Sequence, residues 1–396
     1  MTTFTTPELV GAIALGLAAC AWATCVVVSL LGLGSMPDAT SPPTDDSVDA
    51  PSVSIVLAAR DEAARVEQTV RRALAQTNVR AQVIAIDDRS TDGTGAILER
   101  LAREDERLAA LRVDSLPDGW LGKCHALHVG ARCATGEWLL FIDADTWLAP
   151  GAARAGIDLA LRTNAGHVCF APSMASTTLP GRATLLAGMA LMACNAWSVH
   201  ARWLPGYMGV GAYNLVRADV YRSFGGHEPL RMEVLDDVKL GLLANRAGAR
   251  SAVTLAPELV EVEWAGSARG FVRLLEKNAF ATQGFSTART VMLATLGAAL
   301  LLSPWVGLLL AIVASHPLVR AAGVGALVAH LATLLPSALI ARRFGWGAPS
   351  VVVSPLGFWV ALLAGVNSAA RTLAAGGVRW RETFYPLKAL RRGLVR

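Results

Sequence analysis

Apolar residues fall in four long runs, at 10–33, 291–313, 318–340 and 350–370, with a stretch of mixed polar and apolar character between the first and second. A membrane-spanning helix takes about 20 consecutive apolar residues, so the first run suffices. Its leading flank, MTTFTTPE, holds Glu8 and no base. A secretion signal would carry a basic flank and a shorter core, so residues 1–34 are predicted to be an uncleaved anchor. Ser35–Ser52, with four prolines and several Asp, reads as a linker.

Val53–Ala59 is a short, β-branched run of the buried-strand kind, and residues 61–76 carry Val66, Val70, Ala73 and Leu74 at helical spacing. Val83–Ile86 predicts a second strand, Gly93–Arg103 a second helix, and Trp138–Ile142 a further strand. This alternation predicts an α/β fold, a mainly parallel sheet flanked by helices, over residues 53–285. Ligands of such sheets bind beyond the carboxyl ends of the strands, and there the polar clusters lie. Residues 286–375 are predicted to be C-terminal transmembrane or re-entrant α-helices. Ala183–Trp203, apolar but interrupted by Asn195, His200 and Arg202, is expected to be an interfacial helix.

Composition supports the membrane reading. Hydrophobic residues make up 53% and charged ones 17%, against about 25% charged in soluble domains, and the mean hydropathy is +0.43. The net charge of +5 resides in residues 376–396, where Arg379, Arg381, Lys388, Arg391, Arg392 and Arg396 face the single acid Glu382. A basic segment after an apolar one predicts a cytoplasmic tail at the membrane surface. The middle has no basic stripe with interleaved aromatics, so nucleic acid is not an expected partner. The six cysteines form no C-x-x-C pair and suit reduced, structural thiols.

Two acidic clusters carry candidate chemistry. Asp143-Ala-Asp145 follows a strand, and alternate residues of an extended segment point the same way, so the two carboxylates can converge on one cation. Magnesium and manganese are often held by one or two carboxylates together with substrate phosphates. A solvated loop yields the same D-x-D pattern, so its place at a strand end is what gives it weight. In Asp87-Asp-Arg-Ser-Thr-Asp-Gly-Thr94, Asp88 suits a ligand for a base or ribose hydroxyl, and Asp92 a helix cap. His125 and His128 lie three apart but lack a third ligand. Trp197, Trp203, Trp346 and Trp380 suit a membrane interface.

The segments VSIVLAARDEA (53–63), VIAIDDRSTDGT (83–94), GWLGKCHALHVGA (119–131) and EWLLFIDADT (137–146) resemble, in order and spacing, the successive motifs of family-2 glycosyltransferases of the GT-A fold. GVGAYNLVRADVYRSFGG (209–226) resembles that family's acceptor-side segment, and Leu235-Asp-Asp-Val-Lys-Leu-Gly241 its "ED" motif. The membrane flanks and Trp380-Arg-Glu-Thr-Phe-Tyr385 are similar to hopanoid- and carotenoid-associated members. The resemblance implies that Ala58, Glu62 and Asp88 line the donor-nucleotide pocket with Lys123 near it. It further implies that Asp143 and Asp145 hold a divalent cation (Mn2+ or Mg2+) with the diphosphate. Asp237, beside Asp236, becomes the general base that takes the acceptor's proton, with inversion at the sugar. Taken alone, Asp236-Asp237 would suit a helix N-terminus favoured by the macrodipole.

Two departures stand out. Ala58 and Asp61 occupy places where the first motif usually reads Pro and Asn. The Q-x-x-R-W signature of processive synthases is also absent; the region reads Trp264-Ala-Gly-Ser-Ala-Arg-Gly-Phe-Val-Arg273, then Lys277-Asn278. Arg273 or Lys277 is a candidate to balance diphosphate charge, and single transfer is the expectation. The resemblance implies a UDP-sugar donor, a lipid acceptor and a multi-pass protein of the inner (plasma) membrane with its catalytic domain facing the cytoplasm. The alternatives are a polyprenyl-phosphate sugar synthase and a non-catalytic scaffold. Three full spans after a cytoplasmic domain would carry the basic tail outside. One apolar run is therefore expected not to cross, and 350–370, with Pro355 and Gly357, is the candidate.

Overall fold

The computed structural model describes residues 5–40, 50–174, 178–201, 204, 206–263 and 267–396. Residues 41–49 of the predicted linker, Arg202, Trp203 and Trp264–Gly266 lie outside the described residues. The chain begins with α1 (Thr6–Ser35), followed by β1 (Ser52–Ala59), α2 (Val66–Leu74), β2 (Arg80–Asp88), α3 (Thr94–Glu104), β3 (Leu108–Val113), α4 (Gly122–Arg132) and β4 (Trp138–Asp143). Then come β5 (Thr146–Leu148), α5 (Ala152–Thr163), β6 (His167–Ala171), β7 (Ser173–Met174), α6 (Leu179–His200), β8 (Asn214–Arg217), α7 (Ala218–Ser223), α8 (Asp236–Arg246), β9 (Ser251–Leu255) and β10 (Val260–Val262). The remainder is α9 (Ala268–Leu275), α10 (Thr287–Val313), α11 (Pro317–Leu331), α12 (Leu334–Arg343), α13 (Ala348–Val352), α14 (Ser354–Ala375), β11 (Gly377–Trp380), β12 (Thr383–Pro386) and α15 (Leu387–Arg392). These elements form two compact units, one of residues 36–175, 198–264 and 379–396, the other of residues 1–35, 176–197 and 265–378.

The first unit is built on a seven-stranded sheet in the order β3-β2-β1-β4-β8-β6-β9. All neighbours run parallel except β8, which is antiparallel to both β4 and β6. The near-continuous apolar runs of β1, β2 and β4 follow from burial on both faces. Val53, Ile55 and Leu57 enter a core shared with Val66 and Val70 of α2 and Leu98 of α3. Val56, Ile84, Ile86 and Phe141 enter a second core shared with Leu127 of α4 and Leu240 of α8. Each such side chain contributes about 1.5–3 kcal/mol on leaving water, so the sheet is fixed by packing and its strand ends are left to chemistry. A small sheet, β5-β10-β7, extends from the end of β4.

Helix α2 starts at Val66 rather than at residue 61. Residues 60–65 are used instead in a turn in which Asp61 has φ 54°. Asp and Asn tolerate this left-handed conformation better than most residues, which accounts for an Asp at a place where the resembling motif has Asn.

The second unit is a set of helices held by small residues. Among the described residues, four helical stretches are long and apolar enough to cross a membrane: Thr6–Ser35, Thr287–Val313, Pro317–Arg343 and Ser354–Ala375. Helix α11 runs parallel to α1, with Gly325 beside Ala19 and the His330 ring 4.5 Å from the Trp22 ring. Helix α10 is antiparallel to α11, and the two approach at Gly307 and Gly323. A methyl group on either would lie 2.7 or 2.3 Å from the other's backbone. Helix α14 runs back along α10, with Gly297 against Leu362 and Leu301 in one cluster with Phe358 and Trp22. At its far end the Ser368 hydroxyl donates to Glu276 O (2.7 Å) and accepts from Phe280 N (2.9 Å).

The Ala183–Trp203 run differs from expectation. Its helical part, α6, is buried on nearly all sides between Ala183 and Ala190. The Ser29 hydroxyl of α1 donates to Ala190 O (2.8 Å), and Gly32 and Gly357 lie against Ala193 and Ala183. Close approach through Ala and Gly, rather than one polar and one apolar face, decides its place.

Gly307→Leu should destabilise the helical unit by about 1–3 kcal/mol through overpacking. Gly325→Ala, whose methyl would meet only Ala19 at 3.9 Å, should leave it unchanged. Thermal unfolding of the detergent-solubilised protein checks both.

Candidate active site

The strand order reverses direction between β1 and β4, since β2 and β3 lie to one side of β1 and β8, β6 and β9 to the other side of β4. Ligands of open α/β sheets bind at such a switch point, beyond the carboxyl ends. Ala58 is in register with Ile86 on one side and with Asp143 on the other. The ends of β1, β2 and β4 thus bring Ala58, Glu62, Asp88 and Asp143 to one rim.

Two loops on that rim are stitched together. Asp61 N donates to Ser90 Oγ (3.0 Å), Glu62 N to Thr94 Oγ1 (2.9 Å) and Ala63 N to Asp92 Oδ2 (3.1 Å), while Asp61 Oδ1 accepts from Thr91 N (2.8 Å). Asp92 Oδ1 also accepts from Thr94 N at 2.9 Å, the first residue of α3. These bonds hold Glu62 and Asp88 at the mouth. Asp88 is buried and bound in two-pronged fashion by the Arg89 guanidinium (2.8 and 3.1 Å). Gly122, opening α4, is required here because a Cβ would lie 2.4 Å from Asp88 Oδ2.

Lys123 follows at once and points into the acids. Its Nζ lies 2.8 Å from Asp143 Oδ1 and 3.2 Å from Asp236 Oδ2. Burial alone would lower its pKa, but Asp143, Asp236 and Asp237 hold it charged, well above the ordinary lysine value. Gly211 completes the cluster from the β8 side. A Cβ there would sit 2.5 Å from Asp143 Oδ2 and 3.3 Å from Asp237 Oδ2. Asp143, Asp236, Asp237 and Lys123 line a common cavity with Asn214 and His227.

Asp236 and Asp237 open α8, as an N-terminal acidic pair does. Burial, then Asp236 and Asp143, push the Asp237 carboxyl up to about 6 against the pull of Lys123. Its backbone is fixed by a buried relay: Asn214 Nδ2 donates to Asp237 O (3.0 Å), Asn214 Oδ1 bonds His167, and His167 bonds Ser251 (2.9 Å). Burial keeps His167 neutral, with a pKa lowered to about 4.

The D-x-D geometry differs from that expected. Ala144 and Asp145 form a turn between β4 and β5 rather than an extended segment. The carboxylates still feel one another: burial first, then Asp143 and Glu62, raise Asp145 to about 6. Like-charge crowding of this kind is relieved by a cation. Among the described residues no group of three or more His, Cys, Asp and Glu side chains is arranged around a metal position. Two carboxylates are a donor set that would fit a hard cation sharing its shell with phosphate oxygens.

The sequence-named residues are thus brought to one rim, with Glu62 and Asp88 at one end and Asp143, Asp145, Asp236, Asp237 and Lys123 at the other. Arg273 and Lys277 belong to the helical unit. Arg65 of the α/β unit does lie near the acids, 2.8 Å from Glu263 and 3.5 Å from Glu62, with Asp145 close by. Arg65, Arg89, Gly211, Asn214 and His167 were not singled out in sequence. Gly211 and Asn214 do lie within the quoted segment 209–226. His125 and His128 pack against Trp120 at 5.4 and 5.0 Å rather than together around a cation.

Asn214→Leu should cost about 1–3 kcal/mol, because Asp237 O and His167 lose a buried partner. A lower unfolding temperature of the α/β unit, with His167→Gln giving less than an additive further loss, is the expected outcome.

Residues 54–182 match the family model described as "Glycosyl transferase family 2". The succinoglycan biosynthesis protein ExoO of Rhizobium meliloti is 32% identical over 120 residues, which cover 30% of this chain and 32% of that protein. A beta-monoglucosyldiacylglycerol synthase of Nostoc is 31% identical over 180 residues, covering 44% of this chain and 38% of the relative. The matched segments span about a third of the relatives' length. Among solved structures, the mannosyltransferase PcManGT from Pyrobaculum calidifontis, in complex with GDP-Man and Mn2+, superposes with a TM-score of 0.52 at 18% identity. The match covers 89% of this chain and 99% of that one. Residues 54–182 thus match glycosyl transferase family 2, and the chain has a GT-A fold together with several long apolar helices.

Proposed function

We propose that this chain transfers a single sugar, with inversion, from a nucleotide-sugar to a lipid acceptor at the cytoplasmic face of the membrane. The observation that carries this reading is the convergence of Asp143 and Asp237 on Gly211 at the sheet's switch point, with Asp143 inside the segment 54–182 that matches glycosyl transferase family 2. Ala58, Glu62 and Asp88 hold the nucleoside. Asp143 and Asp145 are the residues that would hold Mn2+ or Mg2+; when bound, the cation neutralises the diphosphate so that it can leave. Asp237, half-ionised near pH 6, takes the proton from the acceptor hydroxyl as its oxygen bonds to the anomeric carbon. Lys123 holds Asp143 and Asp236 in place by ion pairing.

A lipid acceptor is supported by the four long apolar helices and by the diacylglycerol named for one relative. Hopanoid- or carotenoid-type lipids are the finer choice drawn from the closing Trp380–Tyr385 motif, and a polyprenyl phosphate is the alternative. The donor is a UDP-sugar by family tendency; GDP-Man in the similar mannosyltransferase structure makes a GDP-sugar the competitor.

Purified protein should release nucleoside diphosphate from a matched UDP- or GDP-sugar only with Mn2+ or Mg2+. Asp145→Asn should abolish this, and Asp237→Asn should lower transfer by about 10²–10⁴-fold. Because the base must be ionised, kcat/KM should fall as the pH drops through the range in which Asp237 takes up its proton, about 6 in the metal-free chain. A product in cells that is indifferent to Asp237→Asn would point to a scaffold, and a long polysaccharide product to a processive enzyme.

The course of the helices supports a cytoplasmic tail. His330, near the end of α11, and Phe358, near the start of α14, pack on the same Trp22 ring at 4.5 and 5.5 Å. The chain between them leaves one level of the helical unit and returns to it. With α14 antiparallel to α10, we read α11 and α14 as two halves of one crossing and α12–α13 as an insertion within it. Two crossings then follow residue 286, and the chain leaves α14 on the side from which α10 starts. In cells expressing a variant with Cys20 and Cys133 replaced by Ser, Lys388→Cys should resist a membrane-impermeant maleimide until lysis. Ser315→Cys, between α10 and α11, should be labelled from outside. Labelling of both from outside would contradict this course.

A further inference from the structure

Glu62 and Asp88, the two acids at the nucleotide end of the rim, are each already covered by a guanidinium. Asp88 is gripped by Arg89. Glu62 is paired with Arg381, more than 300 residues further along the chain. Arg381 belongs to the segment Arg379–Pro386, which packs in the α/β unit through three contacts. Besides the Arg381–Glu62 pair, Glu382 lies 3.7 Å from Arg60 at the end of β1. The Tyr385 hydroxyl accepts from Gly122 N at 3.1 Å and also lies beside the Arg89 guanidinium.

These contacts are unequal. Tyr385 is 7% exposed and its bond to Gly122 is buried, so this end of the segment is a fixed anchor. Arg381 and Glu382 keep 43% and 73% of their side chains exposed, and ion pairs in that setting contribute at most about 1 kcal/mol. Arg381 also has φ 53°, a left-handed conformation that disfavours a long side chain with a Cβ. A weak latch, closed over strained backbone and hinged on a buried tyrosine, is arranged to open.

We propose that Arg379–Pro386 is a strap that occupies the nucleotide end of the pocket in the donor-free chain, with Arg381 competing with a nucleoside diphosphate for Glu62. The proposal rests on the reading of this rim as a donor pocket. Binding of the nucleoside displaces Arg381 from Glu62 and lifts Trp380–Thr383 about the Tyr385 anchor. The strap makes each binding event include its own opening, so part of the affinity for donor and for released product is given up. This assigns Arg381 the opposite sign of effect from a residue that simply grips the donor.

The test is titration of the detergent-purified full chain with UDP and with GDP in the presence of Mn2+, using Arg381→Ala, Glu382→Gln and the unaltered protein. Arg381→Ala should bind the preferred nucleotide about two- to five-fold more tightly, the range an exposed ion pair allows. Glu382→Gln should move in the same direction by less. Hydrogen exchange in residues 379–384 should rise on nucleotide binding in the unaltered protein while residues 385–392 stay protected. Weaker binding by Arg381→Ala would make it a donor ligand and overturn the strap. Equal binding with unchanged exchange would reduce the segment to a surface tie. If none of the three proteins binds either nucleotide, the donor-pocket reading itself fails and the strap falls with it.

Discussion

One partly buried ammonium group sets the conditions for the rest of the site. Lys123 stands between Asp143 at the end of β4 and Asp236 at the start of α8. Acids gathered this closely would otherwise repel one another or take up protons, and the strand end and helix start that carry them would separate. The lysine makes the cluster tolerable without filling it. Asp145 and Asp237 remain raised to about 6, so the cavity still favours further positive charge. The residues around it serve that balance: Gly122 lets α4 begin against Asp88, and Gly211 leaves space for two carboxylates where any side chain would intrude.

Much of the fold was legible because its signals are local. The strands at 53–59, 83–86 and 138–142 are apolar runs of strand length bounded by charged residues, and the sheet buries both their faces. The acids at their carboxyl ends could be read as a rim for the same reason. What escaped the sequence depends on distant partners. Helix α2 begins five residues later than its periodicity suggests because the loop before it is bonded to residues 90–94. The turn at Ala144–Asp145 is set by β5 pairing with β10, more than 100 residues away. The relay from Ser251 through His167 and Asn214 to Asp237 exists only once β6, β8 and β9 lie side by side. No spacing in the sequence marks it.

The helical unit follows a different rule. Its exposed faces carry large apolar residues such as Leu17, Leu309 and Val366, while its contacts are made by Gly32, Gly307, Gly323 and Gly357. In lipid there is little gain in hiding leucine, and helices meet where backbones can touch. Hydropathy therefore located the helices but could not say which faces pack, and the burial of α6 was not foreseen for that reason. Its run of small residues, which looks weakly apolar on a transfer scale, is what lets it sit among α1 and α14.

The α/β unit is discontinuous in sequence, and this has a consequence for how the protein is made. Residues 36–175 and 198–264 leave the ribosome well before Arg379–Arg396, with the whole of α9 to α14 synthesised in between. At about 5–20 residues per second, the early part waits on the order of ten seconds for its last segment. During that interval Gly122 N lacks Tyr385, and Glu233, which is fully buried in the finished unit, lacks its bond from Val395 N. Completion of the unit therefore requires that the helices encoded before the tail have been made. A chain cut short before this segment is left with an open seam at Gly122, next to Lys123 and its acidic cluster.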